Sequence, residues 1–326
     1  MRTPDFWRHE GGVLGPLLAP LGWCYGLGTR LRLVATQPWK ASVPVLCVGN
    51  VVAGGAGKTP VALSLGGQLR ERGLHVHYLG RGHGGRAVGP LEVDPAKHDA
   101  GDVGDEALLL ARAGPTWVSR DRAAGARAAA EGADVIVMDD GFQNPSLAKD
   151  LSLVVVDGGY GFGNNRIIPA GPLRESVGAA LARADALVVI GDGAEGIKGH
   201  AEVRRRGLPV LEARIVPGPE AEGLSGMAVV AFAGIARPEK FFATLEEIGC
   251  QVTAAHAFPD HHGFSTAEIE RLKREAEELG ATPVTTAKDA VRLSEADRDG
   301  VTVLTISLEW VDEVSLDSVL SPLFRG

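Results

Sequence analysis

The stretch "VGNVVAGGAGKTP", Val48 to Pro60, holds the first residues with chemistry to offer. An apolar run, Val43–Val48, leads into Gly54, Gly55, Ala56 and Gly57, followed by Lys58, Thr59 and Pro60. Glycines let the backbone take positive φ and turn its N–H groups inward. An array of inward N–H groups at a helix start binds anions. Lys58 would neutralise phosphate oxygens, and Thr59 would offer a hydroxyl to Mg²⁺. Pro60 fits the first helical turn, where its missing N–H costs little. The usual phosphate loop has a further glycine where this chain has Val52. Context therefore carries the reading: a strand before the loop and a helix after it.

Other candidates lie downstream. In "ADVIVMDDGFQNP" an apolar strand ends in Asp139 and Asp140. Ligands of open α/β sheets sit at the carboxyl ends of strands, where phosphate-loop enzymes place a carboxylate on the Mg²⁺ side. Turn chemistry also favours Asp there. In "GDVGDEALLLAR", Asp105 and Glu106 open a helix-like run, a place the helix dipole favours for acids whatever their role. In "FPDHHGF", His261 and His262 are adjacent, so their side chains diverge, and no third ligand lies nearby in sequence. Zinc is disfavoured; a loop histidine that tunes a carboxylate or carries a proton is the better expectation. "NNRIIPAGPLRES" mixes Arg166, Arg174 and Glu175 with turn residues, either as a functional loop or as a polar connection.

These residues need a scaffold, and the 326-residue chain has the length for two domains. Apolar runs at Val43–Val48, Leu74–Leu79, Val135–Met138, Leu153–Val156 and Leu187–Ile190 alternate with helix-like segments such as Arg120–Gly132. That alternation predicts a parallel sheet covered on both faces. "VPGPEAEGLSG" (Val216–Gly226) breaks the pattern and reads as a linker. A second α/β unit follows, with strands at Val229–Ala233, Val284–Thr286 and Val301–Ile306 and helices at Arg237–Ile248 and Thr266–Leu279. The "STAE" before the second helix has capping-box form, with Ser265 and Glu268 as the pair.

A net charge of −8 argues against a broad nucleic-acid surface. Cys24, Cys47 and Cys250 are too far apart for a zinc or disulfide framework. Residues 11–29 carry no charge, yet Pro16, Pro20 and several glycines argue against a regular spanning helix. Residues 1–40 carry a net +3, with Trp7 and Trp23 among apolar neighbours. That pattern suits a helix lying in an anionic membrane interface, with a plain core helix as the alternative.

In order along the chain, "VGNVVAGGAGKTP", "GRGHGG", "GDEALLLA", "DDGFQN", "RIIPAGPLRE", "FAGIARPEKFF", "FPDHHGF" and "TAKDAVRL" resemble the tetraacyldisaccharide 4′-kinases of lipid A biosynthesis. The resemblance covers most of the sequence, and Val52 becomes a family feature. It implies transfer of the γ-phosphate of ATP to the 4′-hydroxyl of an acylated glucosamine disaccharide 1-phosphate. The product would be the 4′-phosphorylated lipid IVA. It also implies a peripheral enzyme on the cytoplasmic face of the bacterial inner membrane. By position, Lys58 and Thr59 match the phosphate and Mg²⁺ residues. Asp139, Asp140 and Glu175 match acids of the Mg²⁺ network. Asp105 and His261 match a pair that activates the acceptor hydroxyl, and Arg81 matches the arginine of the glycine-flanked loop. The chain departs from the family pattern at His83, where an aromatic is usual, at Asn144 in place of His, and at Ala287 in place of Glu.

Three rivals remain. A membrane-associated regulatory ATPase usually has a signature lysine where this chain has Ala53. A GTPase commonly uses Asn-Lys-x-Asp, which "TAKD" (Thr286 to Asp289) does not match. A non-catalytic lipid-binding protein would leave the loop and strand-end acids without purpose. The expected architecture is α/β: a P-loop NTPase-like core over residues 41–217 with helices on both faces of a mostly parallel sheet. An interfacial helical segment (1–40) precedes it, and a linker (218–226) and smaller α/β domain (227–326) follow. No obligate protein partner is expected.

Overall fold

The computed structural model describes residues 4–8 and 13–324; Arg2, Glu10 and Gly11 of the N-terminal segment lie outside them. Its strands are β1 (Val45–Gly49), β2 (Val76–Gly80), β3 (Leu91–Glu92), β4 (Thr116–Val118), β5 (Val135–Asp139), β6 (Leu151–Asp157) and β7 (Ala186–Ile190). They continue with β8 (Val210–Pro217), β9 (Ala228–Ala233), β10 (Gln251–Ala257), β11 (Thr282–Thr286), β12 (Thr302–Leu304) and β13 (Ile306–Trp310).

Nine strands form the larger sheet in the order β13-β8-β7-β6-β1-β5-β2-β4-β3. Its inner pairings are parallel, and only the edges β13 and β3 run antiparallel to their neighbours. β1, β5 and β7 are buried along their whole length, as strands covered on both faces must be. Their Val, Ile and Leu side chains form the main core with Leu65 and Leu69 of the Lys58–Glu71 helix. The smaller sheet is all parallel, β10-β9-β11-β12. The Pro238–Glu247 helix buries Phe241 and Leu245 on one face of it, and the Thr266–Glu278 helix buries Ile269 and Leu272 on the other. The predicted capping box forms: the Ser265 hydroxyl accepts from the Glu268 N–H at 3.3 Å, and Glu268 accepts from the Ser265 N–H at 2.8 Å.

Two sequence expectations need correction. Residues 218–226 are not a bare linker: they contain a helix, Glu220–Leu224, and Leu224 is buried in the smaller core. Nor do residues 227–326 stay together. The run read as one strand is split at Thr305, with β12 in the smaller sheet and β13 returning to pair with β8. Leu308, and then Leu316 and Leu320 of the Glu313–Leu320 helix, join the main core. Two crossings therefore connect the lobes, and they are tied together. The Gly218 N–H donates to the Thr305 carbonyl at 2.8 Å, and the Thr305 hydroxyl donates to Glu220 at 2.7 Å.

The N-terminal helix, Leu14–Ala35, is continuous despite Pro20. Its buried points are Gly15 and Gly22. A Cβ on Gly22 would stand 2.8 Å from the Ile167 carbonyl oxygen, so glycine sets how closely the helix approaches the 166–170 loop. Leu17 (73% exposed), Leu21, Trp23 (72%), Leu27 and Leu31 face outward. No helix among the described residues is long and apolar enough to cross a membrane.

Candidate active site

The glycine loop joins β1 to the Lys58–Glu71 helix. Gly57 caps that helix at φ 82°, a conformation that favours glycine, and a Cβ there would displace the Ile190 Cδ1 methyl 2.5 Å away. Thr59 donates its hydroxyl to Asp139 Oδ2 at 2.9 Å, joining the loop to the end of β5. Asp139 Oδ1 is buried without a partner. Burial pushes the Asp139 pKa up to about 6, against the pull of Lys58. Asp140 is held at φ 50°, within 3.6 Å of Lys58 Nζ and 3.2 Å of Arg174. Burial works against its ionisation, but Lys58 and Arg174 outweigh it and lower its pKa. Asp139 thus resists ionisation beside an Asp140 that stays charged.

A second cluster forms across the cleft. Asp105 opens the Asp105–Ala111 helix and is 5% exposed. His261 lies in the loop after β10, at φ 60°. Its Nδ1 is 2.7 Å from Asp105 Oδ2, and Arg292 bonds the same oxygen. Burial would raise the Asp105 pKa; the His261 and Arg292 hydrogen bonds overcome this and hold it well below the usual carboxylate range. The bond to Asp105 in turn raises the pKa of His261. Glu106 pairs with Lys288 at 3.0 Å. Asp105, Glu106 and His261 stand close enough to share an ion, but Lys288 and Arg292 already supply cations there. Among non-glycine residues described, Asp140 and His261 are two of the three with positive φ. Such backbone strain gathers where surrounding structure holds a site.

The other predicted residues separate. Arg81, following β2, is exposed on the cleft wall near buried Arg122. Gly54, Gly55, Ala56 and Pro60 line the same cleft. Glu175 does not. It is buried, with both oxygens 2.6 Å from Arg183, and Gln143 donates to it at 3.3 Å. Gln143 also accepts from Arg174, so Glu175 belongs to the support behind Asp140. Arg183 Nη2 alone bonds both of its oxygens, so in this structure the carboxylate expected to hold an ion is engaged by a guanidinium. His262 turns away, stacking on Phe258 at 4.8 Å and pairing with Glu268 at 3.1 Å.

At the departures from the family pattern, His83 places its ring 6.0 Å from that of His261. Asn144 accepts from the Ser146 N–H at 3.0 Å and hydroxyl at 2.9 Å, closing a turn. Ala287 lines the cleft with a methyl. The sequence reading missed Arg122, Asp157, Arg237, Lys240 and Arg292. Arg237 and Lys240 reach from the smaller lobe to Asp157 at the end of β6, at 2.8 and 2.9 Å, and Arg237 also donates to the Gly55 carbonyl at 3.3 Å. Asp157 ends a parallel strand beside β1, as Asp139 does on the other side, and that placement was the available signal.

Loop, acids and the His261 cluster border one cleft of about 1900 Å³, which reaches Tyr25 and Arg32 on the N-terminal helix. A family model described as tetraacyldisaccharide-1-P 4′-kinase matches residues 14–325. The tetraacyldisaccharide 4′-kinase of Rhodospirillum centenum is 55% identical over 332 residues, spanning 100% of this chain and 98% of that protein. That of Paramagnetospirillum magneticum is 57% identical over 325 residues, spanning 99% and 98%. A crystal structure of LpxK from Aquifex aeolicus in complex with ATP superposes with a TM-score of 0.78 at 26% identity, covering 96% of this chain and 100% of that one. Likeness along the whole length, on a fold that brings the quoted motifs to one cleft, means that the chain belongs to the tetraacyldisaccharide-1-P 4′-kinase family.

Proposed function

We propose that this protein transfers the γ-phosphate of ATP to the 4′-hydroxyl of a tetraacylated glucosamine disaccharide 1-phosphate. The observation that carries the reading is a phosphate loop and a histidine lining one cleft, with Asp105 bonded behind that histidine. Lys58 and the loop N–H groups would bind the phosphates. Thr59, Asp139 and Asp140 would hold Mg²⁺, and the partnerless Asp139 Oδ1 is the atom that fits this role. A bound Mg²⁺ supplies positive charge against the phosphate oxygens. The Asp105–His261 pair would take the hydroxyl proton as the sugar oxygen bonds to the γ-phosphorus and the bond to the ADP oxygen breaks. Arg81 and Arg122 would add charge on the far wall.

The acceptor carries acyl chains and stays in its bilayer. Support for peripheral attachment at the cytoplasmic face of the inner membrane comes from outward-facing Leu17, Leu21 and Trp23, with exposed Arg30 and Arg32 following them. The helix that would rest in the interface also contributes to the cleft wall, so the sugar can enter while its chains remain in lipid.

Lys58→Ala tests the site. Among the described residues its side chain pairs only with the cleft residue Asp140, so the variant should fold. It should lose most lipid phosphorylation, by about 10²-fold or more, as a charge aimed at developing phosphate charge is removed. Normal turnover by a folded variant would reject the loop assignment.

A further inference from the structure

We propose that Arg292 is a positioning residue for the proton-accepting pair: it clamps the Asp105 carboxylate by Oδ2 and leaves Oδ1 as the free oxygen. This inference rests on reading Asp105 and His261 as the pair that takes the hydroxyl proton.

The geometry is a bridge between lobes. Arg292 follows the short Ala287–Ala290 helix at the end of β11, and its side chain is 4% exposed. Nη1 donates to Asp289 Oδ1 at 2.8 Å and to the Gly234 carbonyl at 2.9 Å. Nη2 crosses to Asp105 Oδ2 on the larger lobe. Asp289 is itself fixed, fully buried, by the Thr286 hydroxyl at 2.7 Å and the Gly234 N–H at 3.0 Å. The ends of β9 and β11 thus anchor Asp289, Asp289 anchors Arg292, and Arg292 anchors Asp105. Among the described residues no donor meets Asp105 Oδ1, whereas Oδ2 receives both Arg292 and His261 Nδ1.

Packing of the smaller lobe explains only half of this. A buried guanidinium needs a carboxylate partner, and Asp289 is enough for that. The second arm, reaching Asp105, stabilises nothing within the smaller lobe. Its effect is on Asp105, whose rotamer it fixes and whose charge it sustains. A planar fork can hold two carboxylates at set angles, which a lysine ammonium does not do. The remaining charged groups facing Asp105 are also accounted for. Lys288 is shared between Glu106 at 3.0 Å and Asp260 at 3.8 Å, Asp260 stands 3.7 Å from His261 Nε2, and the His83 ring flanks His261. None of these bonds Asp105 directly. The quoted "TAKDAVRL" motif thereby acquires a role: Asp289 and Arg292 present one arm to the reacting pair.

The test is the pH profile of kcat, at saturating ATP and detergent-dispersed acceptor, for Arg292→Gln, Arg292→Lys, Asp105→Asn and their combinations. Thermal melts check that each variant folds. Loss of the Arg292 charge should move the acid limb of Arg292→Gln up by about one pH unit or more, the shift a neighbouring opposite charge supplies. On that limb kcat falls by about tenfold, while KM for ATP is unchanged. Arg292→Lys should restore the limb but not the full kcat. In the Asp105→Asn background neither Arg292 variant should lower kcat further, because the residue acts through Asp105. An unmoved limb in folded Arg292→Gln would overturn the proposal. If that variant does not fold, wild-type kcat in Arg292→Lys would overturn it, as would an added loss on Asp105→Asn. Near-normal activity of Asp105→Asn itself would instead remove the pair reading on which the proposal stands.

Discussion

Asp139 buries a carboxyl with one oxygen bonded to Thr59 and the other partnerless, and burial moves its pKa from 3.8 to about 6. A carboxyl whose folded pKa exceeds its unfolded value favours the folded state when protonated. That contribution is complete below pH 3.8 and lost as pH rises through about 6. At neutral pH the buried charge of Asp139 therefore destabilises the protein, by up to about 3 kcal/mol for a shift of this size. Asp139→Asn removes the charge and keeps an acceptor for Thr59. Its melting temperature without nucleotide should exceed that of wild type at neutral pH, with the gap closing toward pH 4, while phosphorylation falls by orders of magnitude. Melts across that pH range check this, and an equal or lower melting temperature at neutral pH would contradict it. At this scale the sequence was legible where chemistry is local. Lys58 and Thr59 follow a strand and turn, and Asp139 ends a strand. Arg292 and Arg237 were not legible, because their partners Asp105 and Asp157 are distant in sequence and meet only through the topology.

The N-terminal helix is the element whose surface asks for an explanation beyond packing. Gly15 and Gly22 bring it against the 166–170 loop, and the remaining surface shows Leu17, Leu21, Trp23, Leu27 and Leu31. Composition pointed to an interfacial segment, but its prolines did not announce one unbroken helix; Pro20 is tolerated within it. Replacing Leu17, Leu21 and Trp23 by Ser should weaken binding to anionic vesicles. Each apolar side chain kept out of the bilayer forfeits about 1.5–3 kcal/mol of burial. ATP affinity in solution should not change, since these residues lie outside the loop. Vesicle flotation measures the effect, and unchanged partitioning of the triple variant would remove the helix as the membrane contact. The capping box at Ser265 was legible as a local rule, whereas the helix at Glu220–Leu224 hid within a stretch whose prolines and glycines read as a linker.

At the scale of the molecule, two lobes border one cleft, tied by the Gly218–Thr305 crossing and by Arg237 and Lys240 on Asp157. Strand alternation predicted the parallel core of the larger sheet and three strands of the smaller one, but missed β10. It could not show that β13 leaves the smaller sheet for the larger one, since a single residue, Thr305, marks the change. The Asp105–His261 pair spans the two lobes, so the proton transfer proposed for it depends on their docking. Asp105→Ala and His261→Ala should each lower kcat by roughly 10²–10⁴. The double variant should be far less impaired than the product of the two, as groups acting as one unit are non-additive. Steady-state kinetics on the four proteins measure this, and a fully multiplicative loss would reject the pair. The central claim, phosphoryl transfer to the lipid sugar, is tested most directly by mass analysis of the acceptor after incubation of the purified protein with ATP, Mg²⁺ and the tetraacylated disaccharide 1-phosphate. The account predicts one added phosphate on the 4′-oxygen of the distal sugar, absent with Lys58→Ala; ATP hydrolysis with the lipid unchanged in mass would contradict it.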